Sequence, residues 1–306
     1  MEKLEGQRIL VTGATGQVAR PIAEALSTRN EVWAAARFSD PVAKAELEAA
    51  GIQCAAFTMG DAELGHLPNV DYVIHCAADV DPQTTDDAMT GNAEGTGFLM
   101  ARYAGAKAFF HMSSASVYRP QDDPTQPVAE DAPLGGVSTY SPHYSMSKLV
   151  SESVVRFQAR ALDLPTVIAR LDVAYGTRGH GGLPMVLYEL MKHGMAFVKQ
   201  ADAESHCTVI HEDDIATQVE ALLAHASVPA TIVNLAGDDV VTLEEIITYI
   251  EELTGLTMTI EHAAEPAWPT QVIDNTKRLQ LGGPCEISWK AGIRSALLVR
   301  HPDALG

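Results

Sequence analysis

Residues 8–19 read RILVTGATGQVA, and this stretch decides the fold. Its first five residues form a short apolar run that predicts a buried strand, and Ile22, Ala25 and Leu26 then share one face of a predicted helix. Between strand and helix, Gly13 and Gly16 allow the backbone to turn tightly and to approach a ligand closely. Because the amino end of a helix attracts anionic groups, the turn predicts a pyrophosphate site.

The spacing within this turn is G-x-x-G-x-x-A, with Ala19 where a third glycine often stands. Alanine still permits close packing of the helix on the sheet. An isolated motif of this kind could be an ordinary glycine turn, but its place at the start of a chain of alternating strands and helices favours a dinucleotide site. We expect the contacts to come from Gly13, Thr15, Gly16, Gln17 and Val18.

Short apolar runs alternate with helical patterns as far as residue 170. After the first strand, further strands are predicted over residues 31–36, 52–57, 71–77, 107–112 and 166–170. The segments between them show helical periodicity, chiefly over residues 41–50, 86–104 and 144–161. This alternation is typical of βαβ units and predicts an α/β fold of Rossmann type, a doubly wound parallel sheet covered on both faces.

The pattern changes after residue 170. The glycine-rich stretch 176–182 predicts a loop, and the later elements are predicted helices over 183–192 and 243–253 and strands over 207–211 and 231–235. We therefore expect a dinucleotide-binding domain over residues 1–170, with residues 208–236 returning to the sheet. A smaller C-terminal substrate-binding lobe is expected over residues 171–207 and 237–306.

The charge balance limits the classes of partner. The 306 residues carry 21 Lys and Arg against 40 Asp and Glu, a formal net charge of −19. Such a field repels nucleic acid and anionic lipid, so neither is an expected partner. No stretch approaches the ~18 apolar residues of a membrane span, and the four cysteines form no C-x-x-C pair. We therefore expect a cytoplasmic protein without disulfides or bound metal.

The end of the second predicted strand bears on the choice of dinucleotide. An NAD site usually places Asp or Glu there to accept hydrogen bonds from the ribose, but here the strand ends in three alanines followed by Arg37. Arg37 could pair with a 2′-phosphate, and Lys44 on the next helix could add a second positive charge. The alternative is a solvated surface arginine. The missing acid and the present base together favour NADP over NAD.

A second motif predicts catalysis. Tyr144 and Lys148 are four residues apart at the start of a predicted helix, so their side chains lie on one face. A tyrosine titrates near about 10, and a nearby ammonium lowers that pKa towards the range useful for a general acid/base. Upstream, residues 113–118 read SSASVY at the end of the fifth predicted strand. A serine there could bind the oxygen of a substrate beside the tyrosine, because parallel sheets place their chemistry at the carboxyl ends of strands.

Together these motifs resemble the extended short-chain dehydrogenase/reductase family, in its epimerase/dehydratase branch, over nearly the whole chain. The similar segments are TGATGQVA at 12–19, NAEGT at 92–96, SSASVY at 113–118, YSMSK at 144–148, VIHEDD at 209–214 and NTKRL at 275–279.

The resemblance implies a role for each matching residue. Ser114 would be the catalytic serine, with Ser113 as the alternative by one position, Tyr144 the acid/base, and Lys148 the group that lowers the tyrosine pKa and holds the nicotinamide ribose. It also implies cofactor contacts from Asp61, Ala62, Cys76, Ala77 and Ala78. By the same resemblance, the long helical stretches 86–104 and 144–161 could pair with those of a second copy in a four-helix homodimer interface; the alternative is that they pack only within one subunit.

Two positions depart from the family pattern. Val173 replaces an asparagine, and Cys207 stands where members that act on nucleotide sugars tend to carry arginine. The loss of an amide and a cation, together with the net charge, predicts a smaller or more apolar carbonyl or alcohol substrate.

The sequence thus predicts an NADP-dependent oxidoreductase with Tyr144 as general acid/base. One alternative is an epimerase or dehydratase that acts on a sugar or sugar nucleotide with a transiently reduced cofactor, and another is a non-catalytic redox sensor. His206 and His211, five residues apart on one predicted strand, would point to opposite faces and do not predict a metal site.

Overall fold

The structure is a computed structural model that describes residues 3–135, 141–200, 205–263 and 271–305. Within these ranges the strands, in chain order, are β1 Arg8–Thr12, β2 Glu31–Ala36, β3 Gln53–Ala56, β4 Tyr72–His75, β5 Ala108–Ser114, β6 Pro127–Val128, β7 Thr166–Leu171, β8 Val173–Tyr175, β9 Ala196–Gln200, β10 His206–Cys207, β11 Val209–His211, β12 Thr231–Leu235, β13 Val241–Thr242, β14 Thr259–Ala263 and β15 Val272–Ile273.

The α-helices of the same ranges are α1 Ala19–Ser27, α2 Pro41–Ala49, α3 Thr85–Ala88, α4 Gly95–Arg102, α5 Pro142–Ala161, α6 Leu183–Lys192, α7 Glu212–Leu223, α8 Leu243–Thr254, α9 Thr276–Gly282 and α10 Trp289–Arg300. A π-helical segment, Met89–Glu94, joins α3 to α4, and a 3₁₀ turn, Ala115–Val117, follows β5. No helix in the described residues is both long and apolar enough to cross a membrane.

Seven strands form one parallel sheet in the order β12-β7-β5-β4-β1-β2-β3. The chain runs outward from β1 to β3 and then crosses to β4 on the other side of β1, so the strand order reverses there. Ligands of such sheets bind in the crevice at this reversal, outside the carboxyl ends of the strands. The predicted Rossmann-type sheet is confirmed.

The inner strands of the sheet, β1, β4, β5 and β7, bury both of their faces. In β1, Ile9 and Val11 pack with α1 and α7 on one side, while Leu10 packs with α4 and α5 on the other. The two layers follow from the alternation of side chains along a strand, which turns a continuous apolar run towards two helical layers.

The chain after β7, apart from α7, β12 and α9, is called the second lobe here, and it contains a separate cluster of buried apolar side chains. Apolar side chains of α6, α8 and α10 pack around the ring of Tyr175, which is fully buried. Short two-stranded sheets surround this core, and one of them pairs β11 with β8. The single strand predicted over residues 207–211 is wrong in detail, because Thr208 separates β10 from β11 and binds the carboxylate of Asp172.

Two other predicted boundaries also differ. The helix predicted over 86–104 is interrupted by the π-helical segment, and β4 ends at His75. Cys76, Ala77 and Ala78 therefore lie beyond that strand and not along it. Pairing of β4 with β1 stops where His75 meets Thr12, since the chain beyond passes close over Gly13.

Candidate active site

The glycine turn after β1 has the geometry that a dinucleotide site needs. Gly13 has φ +74°, and a Cβ there would lie 2.9 Å from the backbone of Ala77. Its N–H donates to the carbonyl of Ala35 at 2.8 Å, and the N–H of Gly16 donates to the carbonyl of Gly13 at 2.8 Å. The turn thus brings bare backbone to the amino end of α1, where a pyrophosphate group fits.

Gln17 connects this turn to the second lobe. Its side-chain amide donates to the carbonyl of Ala174 in β8 at 3.0 Å. Gly179 packs against it so closely that a Cβ at that glycine would lie 2.9 Å from the Cβ of Gln17. The sequence indicated Gln17 as a cofactor residue but gave no sign of this contact between the lobes.

The residues predicted to contact the adenosine end are on the surface. Arg37 is exposed and makes no hydrogen bond or ion pair within the described part of the chain. Lys44 pairs with Glu48 at 3.5 Å and lies 6.0 Å from the ring centre of Phe38. Asp61 and Ala62, in the segment after β3, are also exposed.

Tyr144 and Ser114 meet at the carboxyl edge of the sheet. Tyr144 lies in the first turn of α5, which begins at Pro142, and its side chain is near enough to that of Ser114 for the serine to act on the pKa of the phenol. The Ser114 oxygen accepts from the N–H of Ser116 at 3.1 Å, so its proton is available to the phenol or to a bound oxygen. Ser113 is instead buried and donates to Glu152. The structure therefore places Ser114, and not Ser113, against the tyrosine.

The pKa of Tyr144 differs from the expectation. Burial raises it, the hydrogen bond with Ser114 opposes the rise, and Lys148 is not among the groups that shift it. The Lys148 amine instead donates to the carbonyl of Met112 at 2.7 Å. The lowering of the tyrosine pKa that the four-residue spacing predicted is therefore not seen with the amine held in this position.

Lys148 has an unusual environment itself. It is 2% exposed, and burial lowers its pKa to about 8, while Glu152 and Cys76 act to raise it. Two buried histidines lie close by. His75 is hydrogen-bonded to Thr12 and Thr96, and burial, with a smaller contribution from the Lys148 charge, lowers the pKa of His75 to about 3.

The second histidine, His111, faces His75 across the pairing of β4 with β5, with 5.6 Å between ring centres. It is hydrogen-bonded to Ser151 of α5 at 3.1 Å, and burial lowers its pKa well below the usual value. Because both rings are neutral, Lys148 carries the charge of this cluster.

Glu152 and Arg170 form a buried ion pair under the site. Both Glu152 oxygens accept from the guanidinium, at 2.9 and 2.8 Å, and one also accepts from Ser113 at 2.6 Å. The guanidinium further donates to the Tyr118 hydroxyl at 3.0 Å, which donates to Asn234 at 2.5 Å. Sequence reasoning missed this pair. The signal available was that Glu152 continues the four-residue spacing of Tyr144 and Lys148 on the same helical face.

Asn92 fixes α5 from the other side. Its side-chain amide donates to the carbonyl of Asp79 at 2.8 Å and to the hydroxyl of Ser147 at 3.0 Å, and its oxygen accepts from the N–H of Asp79. The π-helical segment that carries Asn92 therefore holds the loop after β4 against the helix that carries Tyr144.

The second lobe contributes a carboxylate to this edge of the sheet. Asp172 accepts hydrogen bonds from Thr208 and Gln271. The two departures from the family pattern lie next to this contact, because Val173 follows Asp172 in the chain and Cys207 precedes Thr208. His206 and His211 lie on separate strands, and no group of three or more His, Cys, Asp or Glu in the described ranges could hold a metal ion.

Comparison with known proteins identifies the family. The sequence profile described as the NAD dependent epimerase/dehydratase family matches residues 9–236. The chain belongs to this family. The resemblance drawn from the motifs is thus confirmed, and with it the expectation of an enzyme. A search of curated proteins found no match.

Solved structures of similar fold cover almost the whole chain. One is UDP-glucuronic acid 4-epimerase from Bacillus cereus in complex with UDP-glucuronic acid and NAD, with 21% identity, 96% of this chain and 99% of that one covered, and a TM-score of 0.83. UDP-glucose 4-epimerase from Thermotoga maritima, with UDP-glucose, shows 22% identity, coverage of 95% and 98%, and a TM-score of 0.80. dTDP-glucose 4,6-dehydratase from Bacillus anthracis, in complex with NAD, shows 17% identity, coverage of 97% and 97%, and a TM-score of 0.81. At these identities the likeness shows the shared fold.

We predict that Glu152→Gln destabilises the protein and changes its pH response. Leaving Arg170 buried without a partner should lower the free energy of unfolding by about 3–5 kcal/mol. Burial lowers the pKa of Lys148 to about 8, and Glu152 acts to raise it. Loss of the Glu152 carboxylate should therefore lower the pKa of Lys148 below about 8. Urea unfolding and the pH dependence of dinucleotide affinity measure the two effects.

The control is the double variant Glu152→Leu, Arg170→Met, which removes both charges. This double variant should recover much of the lost free energy of unfolding. Its dinucleotide affinity should keep the shifted pH dependence, since the carboxylate is still absent. If the pH dependence of dinucleotide affinity in both variants is the same as in the wild type, the role given to Glu152 is contradicted.

Proposed function

We propose that this family member is an epimerase or dehydratase that oxidises a secondary alcohol of a sugar-type substrate and returns the hydride within one catalytic cycle. The observation that supports it best is the proximity of Tyr144 and Ser114 at the carboxyl edge of the sheet, with Lys148 one helical turn away. Net oxidation or reduction by the same residues, the main expectation from the sequence, is the second candidate. The family favours the first.

The residues have defined tasks in this proposal. A nicotinamide dinucleotide in the glycine turn would supply the hydride acceptor. Ser114 would donate a hydrogen bond to the substrate oxygen, and Tyr144 would take the hydroxyl proton as hydride leaves the carbon, then give it back in the reverse step. Lys148, whose ammonium lies on the same helical face, would bind the nicotinamide ribose.

We predict that Tyr144→Phe lowers turnover by about 10²–10⁴-fold and leaves dinucleotide affinity nearly unchanged, because only the exchangeable proton is lost. The assay incubates the dinucleotide-loaded protein with a panel of sugars and sugar nucleotides. NMR identifies the products, and absorbance of the reduced nicotinamide follows any net redox change.

Tyr72→Phe is the matched control, since Tyr72 lies at the opposite, amino end of β4. Wild-type turnover in Tyr144→Phe would remove the residue from the mechanism. Product formation with stoichiometric, lasting reduction of the cofactor would favour net oxidoreduction over epimerisation or dehydration.

We further propose that the dinucleotide is NADP. The observation in favour is Arg37, which is exposed, has no partner in the described ranges, and directly follows a strand that ends without a carboxylate. The structures named above that contain NAD make NAD the competing choice.

Arg37→Ser should weaken NADP binding about tenfold and leave NAD binding unchanged, because only NADP offers a phosphate to the guanidinium. Titration of intrinsic fluorescence with each dinucleotide measures both affinities. Arg294→Ser, at an exposed arginine of α10, is the control. If the wild-type protein binds NAD more tightly than NADP, the cofactor proposal fails.

The protein is also proposed to be a homodimer. Phe98 of α4 and Met146, Val150 and Phe157 of α5 are exposed at 41, 40, 37 and 67%, and the two helices pack side by side through Gly97 and Val154. Exposed apolar side chains on adjacent helices favour burial against a second copy.

Phe157→Asp should therefore shift the protein from dimer to monomer in sedimentation velocity. Val299→Asp, at a position 63% exposed on α10, should leave the sedimentation coefficient unchanged. A wild-type protein that sediments as a monomer at all concentrations would contradict the proposal.

A further inference from the structure

His75 connects the strand that enters the glycine turn with the helical layer above it. It is the last residue of β4, is 1% exposed, and pairs in the sheet with Thr12, the last residue of β1 before Gly13. Its Nδ1 lies 2.7 Å from the Thr12 hydroxyl, and its Nε2 lies 2.9 Å from the hydroxyl of Thr96 at the start of α4. The imidazole ring therefore spans from the sheet to the helix that follows the π-helical segment.

The neighbouring hydrogen bonds fix the tautomer of this ring. The Thr96 hydroxyl donates to the carbonyl of Asn92 at 2.8 Å, so its proton is engaged there and the Nε2 of His75 must donate to Thr96. Nδ1 then accepts from the Thr12 hydroxyl, whose oxygen accepts from the N–H of Ala77 at 3.2 Å. The reverse tautomer would leave the oxygens of Thr96 and Asn92 2.8 Å apart without a proton between them.

The hydrogen bonds continue from Asn92 to the helix that carries Tyr144. The Asn92 amide donates to the hydroxyl of Ser147 at 3.0 Å, and that hydroxyl donates to the carbonyl of Tyr144 at 2.8 Å. The side chains along this route, those of Thr12, Thr96, Asn92 and Ser147, belong to residues that are at most 1% exposed. A continuous run of buried hydrogen bonds through His75 therefore joins the end of β1 to the first turn of α5.

The charge state of His75 agrees with this arrangement. Burial, with a smaller contribution from the Lys148 charge, lowers the pKa of His75 to about 3, so the ring is neutral. Protonation would place a second positive charge near Lys148 and would take from the Thr12 hydroxyl the acceptor for its proton.

We propose that His75 is a positioning residue, which through its Nε2–H tautomer sets the place of the Tyr144 phenol relative to a dinucleotide held by the glycine turn. The inference rests on the proposed function and adds to it a buried residue that acts through Tyr144. One end of the run is Thr12, next to the turn, and the other is the backbone of the residue that carries the phenol. Misplacement of reacting groups by about 1 Å can lower turnover about 10²-fold.

The first test measures position and does not depend on turnover. Isotope-edited NMR records the nuclear Overhauser effect between the nicotinamide protons of the bound dinucleotide and labelled tyrosine rings, and Tyr144→Phe assigns the signal of Tyr144. The wild type should show this signal. Thr96→Val, which removes the hydroxyl between His75 and Asn92, should lose most of it, and Thr96→Ser, which keeps the hydroxyl, should restore it.

The second test measures turnover on the panel of sugars and sugar nucleotides. Thr96→Val should lower turnover about 10²-fold with little change in dinucleotide affinity, and Thr96→Ser should turn over like the wild type. His75→Gln, whose amide can still donate to Thr96 but which has no acceptor at the Nδ1 position, should show the same loss as Thr96→Val. In the Tyr144→Phe background neither change should lower turnover further, because His75 acts through the tyrosine.

The third test reads the tautomer in the wild-type protein, and so it remains available if a variant does not fold. Nitrogen NMR of labelled histidine, with the His75 signals assigned by their absence in His75→Gln, should show a protonated Nε2 and an unprotonated Nδ1. These signals should not change from about pH 5 to about pH 8, the range in which an ordinary histidine changes its charge.

Three results would overturn the proposal. They are an unprotonated Nε2 of His75 in the wild type, a wild-type Overhauser signal or wild-type turnover in Thr96→Val that still binds dinucleotide, and a loss in Thr96→Ser equal to that in Thr96→Val. If Tyr144→Phe retains turnover while Thr96→Val still loses the Overhauser signal, the proposed chemistry fails and the positioning role of His75 stands.

Discussion

The geometry of the site depends on the ion pair between Glu152 and Arg170. Both side chains are at most 2% exposed, so each charge requires the other, and removal of either leaves an uncompensated charge in the interior. The pair joins α5, which carries Tyr144 and Lys148, to β7, and Ser113 joins it to the strand that carries Ser114. A shift of the helix relative to the sheet would break three hydrogen bonds of one carboxylate at once.

A second constraint holds the other end of the site. Gly13 and Ala77 are so close that any side chain at residue 13 would clash with the chain after β4. His75 joins the same two strands through Thr12, and its neutral ring lies near the Lys148 charge. Backbone packing and neutral hydrogen-bonded groups therefore fix the glycine turn relative to the end of β4.

The parts that sequence reasoning predicted are those whose causes are local. The turn at Gly13 and the spacing of Tyr144 and Lys148 are each contained in a few consecutive residues, and the alternation of apolar runs gave the sheet. The missed features join distant residues. Glu152 pairs with Arg170 only because α5 packs on the sheet. Asp172 is hydrogen-bonded to Gln271, which is 99 residues away in the chain. The break at Thr208 has the same origin, because a side-chain contact from another strand ends the local pairing. The predicted lowering of the Tyr144 pKa was wrong because the spacing of residues along a helix does not determine where the flexible Lys148 side chain donates its hydrogen bonds.

The contact of Gln17 with β8 has a consequence for the order of events on the enzyme. The same side chain belongs to the glycine turn and donates to the carbonyl of Ala174 in β8, so a displacement of β8 would disturb the turn. In the proposed cycle, in which the cofactor returns the hydride to the substrate, this contact would favour retention of the dinucleotide until both half-reactions are complete.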